Sequence, residues 1–413
     1  MSGWPDGTAS AADGVAAGAG SKTVEAERLR RLFRFFAATQ CRGRSAVYEA
    51  LSEGVAGDDG LLDLLMAAPD EQRRPSLLLA AVSFLLAADP GAALADYYPV
   101  HGGQRPVDGQ LVSAFAAFCA AHHDELGRLV RTRATQTNEI RRCVALRLGL
   151  DYVRRCWPGP VALVEVGASA GLNLLVDRYR YRVGGREVSP AGAGPVLISC
   201  DTRGGDPGAE ILGPVPEITT RLGIDQQPVS LADPAARAWL QAFIWPEHTA
   251  DLSVLRAAMD LAIAGAGPAV VPGDAITDTA RLLDQLPGRE PIVVFTATLF
   301  SYLSAGAREA FVAQLRQAAE RRPLAWIFAE APGLIAGTAA ATDPGLAALA
   351  GPVAHRNSLC LVGAHRLAPG SPGPRRRDDA ALLALADPYL RWLAPARHPA
   401  DDFPWLPATL GPG

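Results

Sequence analysis

No stretch of this chain approaches the roughly 18 uninterrupted apolar residues that a membrane span needs. A basic segment followed by an apolar core is also missing near Met1, so neither a secretion signal nor a membrane anchor is expected. Lysine is nearly absent, and 39 basic residues face 43 acidic ones, for a formal charge of −4 and a pI near 6.0. That balance does not make a polyanion-binding surface, and nucleic acid is not an expected partner. The six cysteines, Cys41, Cys119, Cys143, Cys156, Cys200 and Cys360, are scattered without C-x-x-C spacing. This argues against a disulfide scaffold or a zinc knuckle and fits a reducing cytoplasm. The only histidine-rich acidic cluster, His122-His123-Asp124-Glu125, puts adjacent residues around a helix where they diverge, so no metal site is expected.

What is present is a large apolar content, 49% of 413 residues, enough for a sizeable core and more in keeping with two domains than one. Residues 1–22 are rich in Gly, Ala and Ser and read as a disordered tail. From 23 to 157 apolar residues recur at helical spacing, as in Leu77, Leu78, Val82, Leu85 and Leu86, which predicts an all-helical N-terminal domain. After Pro158-Gly159-Pro160 the pattern changes to "VALVEV", "PVLISC", "PAVVPG", "PIVVFTA", "LAWIFAE" and "NSLCLVGA", alternating with helical segments. Such alternation implies a parallel sheet with crossover helices over residues 158–400. Residues 204–267 separate the second and third of these strands and read as a helical lid insertion. Residues 401–413 read as a C-terminal tail.

The stretch Val161–Leu175, "VALVEVGASAGLNLL", predicts a buried strand, a tight turn and a helix start. Its G-A-S-A-G satisfies the nucleophile-elbow pattern, with Ser169 as nucleophile, and "VHGGQ" upstream is similar to a lipase-like oxyanion motif. However, His101 follows "ADYYP" in a helical region, where no sheet aims the amides. The later histidines, His355, His365 and His398, sit in no triad-like turn. A dinucleotide site would need glycine where Ser169 stands.

The same turn also suits S-adenosylmethionine. Glu165 at the strand end faces the ligand's ammonium, and Gly167, Ala168, Ser169, Gly171 and Asn173 form a small-residue turn beside it. "PVLISC" ends at Asp201, an acceptor for ribose hydroxyls. "AVVPGDA" ends at Gly273, Asp274 and Ala275, where the aspartate accepts from the adenine amino group and the next amide donates to the ring. Helix capping explains an aspartate such as Asp274 equally well. Methyl transfer needs an aligned nucleophile and, for some acceptors, a base. Glu139 is the expected general base, with Asn138 and Gln136 beside it in "TQTNE", although an N-cap accounts for part of that polarity. Arg142 suits an anionic substrate. Arg44, Tyr48, Arg178, Tyr179, Trp245 and Glu247 are the other expected substrate contacts, with "RYRYR" also readable as a solvated edge strand.

These motifs carry a resemblance. "GRSAVY" (43–48), "TQTNE" (135–139), "EVGASAGLNLLVDRYRY" (165–181), "GID" (223–225), "WPE" (245–247) and "GDA" (273–275) make the chain similar to the mostly actinobacterial family of domain of unknown function 2332, over about residues 25–395. The resemblance implies a methyltransferase-like C-terminal half after a helical N-terminal half. Relatives commonly place a His after the fourth strand where this chain has Thr296, so a His-based role does not carry over. The expectation is therefore an α/β fold: a Rossmann-like methyltransferase sheet with an N-terminal all-helical domain and a helical lid. It would use S-adenosyl-L-methionine on a small-molecule acceptor in a cleft between the two domains. A serine hydrolase using Ser169, or a non-catalytic cofactor-binding protein, are the alternatives.

Overall fold

The computed structural model describes residues 17–204, 213–265, 267–339, 346–347, 350–355, 359–367 and 380–396. The expected C-terminal tail, 401–413, lies outside them, as do residues 1–16 of the expected N-terminal one. Residues 17–22, assigned to that tail from composition, are instead the first turns of a helix. The chain divides into two compact units. One runs to Thr137 and includes Asp233–Arg256; the other comprises Asn138–Ala232 and the chain from Ala257 onward.

The first unit is helical among the described residues: α1 (Ala17–Phe36), α2 (Ala46–Ala56), α3 (Asp59–Met66), α4 (Pro75–Leu86), α5 (Leu111–Ala121) and α6 (His123–Thr132). Side-chain caps start two of them. Ser45 accepts from Tyr48 N at 3.0 Å and Asp58 from Leu61 N at 3.1 Å, satisfying amides that no helical carbonyl can reach. Their apolar faces meet in one core that includes Leu29, Phe33, Leu51, Leu78, Phe115 and Val130.

The next helix, α7 (Cys143–Cys156), belongs to the sheet unit, so the boundary falls at Asn138, ahead of this helix. Gly149 explains its seat: a Cβ there would lie 2.4 Å from an Ile327 side-chain carbon, so only glycine lets the helix approach that closely. The chain returns to the helical unit with α8 (Pro234–Ala242), whose Trp239 joins the helical core and donates from Nε1 to Ala134 O at 3.0 Å. Helix α9 (Thr249–Ala264) crosses the division between the units.

The strands are β1 (Val161–Val166), β2 (Arg180–Val183), β3 (Arg186–Val188), β4 (Leu197–Thr202), β5 (Ile218–Asp225), β6 (Ala269–Pro272), β7 (Ile292–Ala297), β8 (Leu324–Glu330), β9 (Cys360–Leu367), β10 (Ala380–Ala386) and β11 (Trp392–Pro395). They lie in the order β3-β2-β4-β11-β10-β9-β8-β7-β1-β5-β6. β6, β5, β1, β7 and β8 are mutually parallel; β9 is antiparallel to β8. The fold is thus mixed α/β with a large, mostly parallel sheet. The helices α10 (Thr279–Asp284), α11 (Ala305–Ala319) and α12 (Pro332–Ala339) follow strands β6, β7 and β8. Every residue of β1 and β8 is buried, as expected of strands covered on both faces. Among the described residues no helix is long and apolar enough to cross a membrane.

Two expectations need correction. Residues 204–267 are not a helical insertion between neighbouring strands, because β5 lies within them and is the direct parallel neighbour of β1. "PVLISC", read as the second strand beside the glycine turn, is β4, six places from β1 in the sheet. Its direction is also reversed. β10 runs with β1, β11 against β10, and β4 with β11. Asp201 near the end of β4 therefore lies on the rim opposite Glu165.

Candidate functional site

The carboxyl rim of the parallel strands gathers the acids. Glu165 is the fifth residue of β1, in register with Gly223 of β5 and Phe295 of β7. Asp225 ends β5 opposite Pro272 of β6, and Gly273 and Asp274 are the next two residues. At β8 the rim residue is Glu330. Glu165, Asp225 and Asp274 thus occupy three adjacent strand ends, with Asp225 in the place that Asp201 was expected to fill.

The turn after β1 folds onto β5. Gly167, Ser169 and Gly171 take left-handed conformations, with φ of 79°, 54° and 73°. Gly167 N and Ala168 N donate to Ile224 O at 2.8 and 3.2 Å, and Ser169 N donates to Asp225 Oδ2 at 2.8 Å. Three amides are therefore used inside the protein, whereas a phosphate cradle keeps its amides for the ligand. Gly171 serves packing: a Cβ there would lie 2.8 Å from a Val270 methyl. Ala168 is fully buried and Gly167 is exposed.

Glu165 is 3% exposed. Asn173 Nδ2 donates to its Oε1 at 2.8 Å, while Oε2 has no partner. Burial pushes its carboxyl up to about 8, against the opposing hydrogen bond from Asn173 and the charge of Arg142. Glu330 behaves alike. It accepts from Leu299 N and Phe300 N at 3.0 and 3.1 Å, and burial again pushes it up to about 8. Thr296, in the family's expected His position, is buried and accepts from Trp326 Nε1 at 3.1 Å. The buried Ser169 Oγ also has no partner, so no hydrogen bond joins it to a histidine or an acid.

Asp274 Oδ1 accepts from Ile276 N and Thr277 N at 2.7 and 3.1 Å, so it closes the turn ahead of α10, whose own N-cap position is Asp278. Its other oxygen accepts from Gln226 Nε2 at 2.6 Å. Ala275, the next residue, is buried. Asp225 Oδ1 accepts from Gln227 N at 2.8 Å.

The segment before α7 is pinned to this turn. Leu172 N donates to Asn138 Oδ1 at 3.3 Å, and Cys143 Sγ to Asn173 Oδ1 at 3.4 Å. Glu139, the expected base, caps the following turn by accepting from Arg141 N at 3.2 Å and pairs with the Arg141 guanidinium at 3.8 Å. One of its oxygens thus serves the backbone, the capping role open to it from the sequence. Arg142 is half-buried, its Nε has no partner, and its charge acts on both Glu165 and Glu330.

Other expected contacts are structural. Tyr179 is fully buried and donates to Leu172 O at 2.7 Å; Arg178 is exposed. In the helical unit Glu247 accepts from Ser45 Oγ at 2.6 Å and Val47 N at 2.9 Å, closing the start of α2. His248 Nε2 donates to Arg44 O at 3.2 Å, and Tyr48 packs against Trp245 with ring centroids 5.8 Å apart. Arg44, Tyr48, Trp245 and Glu247 thus form one motif holding the segment Trp245–His248 to the start of α2. Gln136 belongs to this unit, next to the boundary. Asp201 lines an open concavity of about 750 Å³ with Arg203, Arg391 and Trp392 on the other rim. Arg203 lies 4.0 Å over the Trp392 ring there, and no orphaned buried polar atom lies among those residues.

The class defined so far is an α/β protein whose parallel strands carry three acids on adjacent carboxyl ends, beside orphaned buried oxygens. The model of DUF2332, described as an uncharacterized protein conserved in bacteria, matches residues 30–366, and the chain belongs to that family. No curated protein matches the sequence.

Proposed function

We propose that the sheet unit is a Rossmann-like methyltransferase domain that binds S-adenosylmethionine at its carboxyl rim and serves a small-molecule acceptor. The observation that carries this reading is the placement of Glu165, Asp225 and Asp274 on three neighbouring parallel strand ends, β1, β5 and β6. Ligands of open α/β sheets bind outside the carboxyl ends of the strands, where connections diverge to either side. Here the chain leaves β1 for β2, β3 and β4 at the far edge, returns to β5 and β6 on one flank of β1, and then passes to β7 on its other flank.

The groups at this rim fit the ligand. Glu165 Oε2, buried and unpartnered, would accept from the ammonium. Asp225 retains lone pairs beside its two amide contacts for a vicinal diol, and Asp274 Oδ2, now held by the Gln226 amide, would accept from an exocyclic amine. The turn's committed amides favour this over a nucleotide bound through its phosphates. When bound, S-adenosylmethionine supplies an electrophilic methyl on a sulfonium. The protein's part is alignment, because an in-line displacement needs little covalent machinery. Glu139 is committed to capping, so the proposal assigns it no proton transfer.

One observation favours a second reading: Ser169 has φ of 54° in the turn after a buried strand, as a nucleophile elbow would. A fluorophosphonate probe separates the two, since a hydrolase must be labelled at Ser169. Calorimetric titration tests the first. Asp225→Ala should weaken S-adenosylmethionine binding at least tenfold while Asp201→Ala leaves it unchanged; equal effects would remove the rim assignment.

A further inference from the structure

Arg142 is anomalous among the arginines of the sheet unit. Arg221 holds Asp177 at 2.7 Å and Arg154 holds Asp151 at 2.9 Å, whereas the Arg142 side chain has no ion pair or hydrogen bond among the described residues and its Nε is shielded. A guanidinium is always charged and strongly prefers a planar two-oxygen anion. Only the Nε of this half-buried side chain is shielded, which leaves its terminal nitrogens available to such an anion. The two carboxyls on which its charge acts do not neutralise it. Glu165 and Glu330 are both buried and both pushed up to about 8, so at neutral pH they are largely protonated. Asp225, the other acid acting on Glu165, is already bonded to Ser169 N and Gln227 N.

The position is fixed as well as the charge. Asn138 and Cys143, on either side of Arg142, are tied to Leu172 and Asn173 of the glycine turn. Asn173 in turn holds Glu165, whose Oε2 is also unpartnered. An unpartnered acceptor on β1 and a cation without a side-chain partner on the segment pinned to the following turn therefore lie within electrostatic reach of one another. An α-amino acid carries the complementary pair, an ammonium and a carboxylate on a single carbon.

We infer that Arg142 and Glu165 form a subsite for the zwitterionic end of an α-amino acid, with Arg142 binding the carboxylate. Arg142 thereby leaves the acceptor side, where its charge first placed it. The inference deepens the donor reading and rests on it for the adenosyl part of the ligand. A free α-amino acid offers the same two groups.

The test is calorimetry with the full chain. The ligands are S-adenosylmethionine, its decarboxylated analogue, 5′-methylthioadenosine and free methionine. The wild-type protein should bind S-adenosylmethionine at least tenfold more tightly than the decarboxylated analogue. Arg142→Gln should erase that difference by weakening only the carboxylated ligand, and Arg142→Lys should keep part of it. Equal wild-type affinity for the two adenosyl ligands would overturn the inference without any variant. So would an Arg142→Gln loss shared by both, or binding by none of the four. If methionine binds in an Arg142-dependent way while no adenosyl compound binds, the subsite stands and the donor reading falls.

Discussion

Replacing Glu165 by Gln exchanges one oxygen for nitrogen and removes charge from the carboxyl rim while keeping the Oε1 that accepts from Asn173. The wild-type carboxyl is pushed from 4.5 up to about 8, chiefly by burial. At about 1.4 kcal/mol per unit, ionising it in the ligand-free fold costs on the order of 5 kcal/mol. Between pH 4.5 and 8 the folded protein holds a proton that the unfolded chain releases. This group's stabilising contribution is therefore complete below about pH 4.5 and lost as the pH rises from there through about 8. Glu165→Gln should then raise the melting temperature clearly at pH 9 and leave it nearly unchanged at pH 5. Ligand binding responds in the opposite sense. A cationic ligand needs the carboxylate, so wild-type affinity for S-adenosylmethionine should rise with pH by up to tenfold per unit toward pH 8, with proton release below it. Above that the ligand's own amine, near 8, deprotonates and affinity falls. Calorimetry in buffers of different ionisation enthalpy reads both limbs. A wild-type profile flat between pH 6 and 8, or an unchanged rising limb in Glu165→Gln, would refute the role of Glu165.

Other perturbations test separate parts. Glu247→Gln weakens the closure of α2 at Ser45 and Val47 and should cost about 1–2 kcal/mol in urea unfolding of the full chain. Gly149→Val forces a side chain into Ile327 and should destabilise by about 1–3 kcal/mol, read as a lowered melting temperature. Ser169→Ala removes a hydroxyl that bonds nothing, so adenosyl-ligand affinity should change less than threefold; a tenfold loss would give that hydroxyl a ligand contact. Gln226→Ala frees Asp274 Oδ2 and should strengthen adenosyl-ligand binding a few-fold, measured by the same titration.

Much of the sheet was legible because buried parallel strands leave a plain signal: β1, β7 and β8 are near-continuous apolar runs. β5 was missed for a physical reason. Ile218–Asp225 carries two threonines and Arg221, and it is only partly buried. Arg221 is there to hold Asp177 and Leu174 O, so the strand's polarity reflects its bonds to the turn after β1. Missing it left Asp225 unseen and promoted Asp201, whose strand is a good apolar run on the wrong side of the sheet. The fragment "GID" was the available clue. Glu139 and Glu247 illustrate a second limit. A carboxylate before a helix is equally suited to chemistry and to capping, and only the amides it reaches decide between them. Arg142 was visible as a charge; its lack of a counter-ion was not, because that depends on two glutamates remote from it in sequence being neutral.

The most direct measurement is a crystal structure of the protein grown with S-adenosylhomocysteine. Adenosyl density is expected over the ends of β1, β5 and β6, within hydrogen-bonding reach of Glu165, Asp225 and Asp274. Density beside Asp201 and Trp392 on the opposite rim, or a rim left empty at saturating ligand, would contradict the proposal.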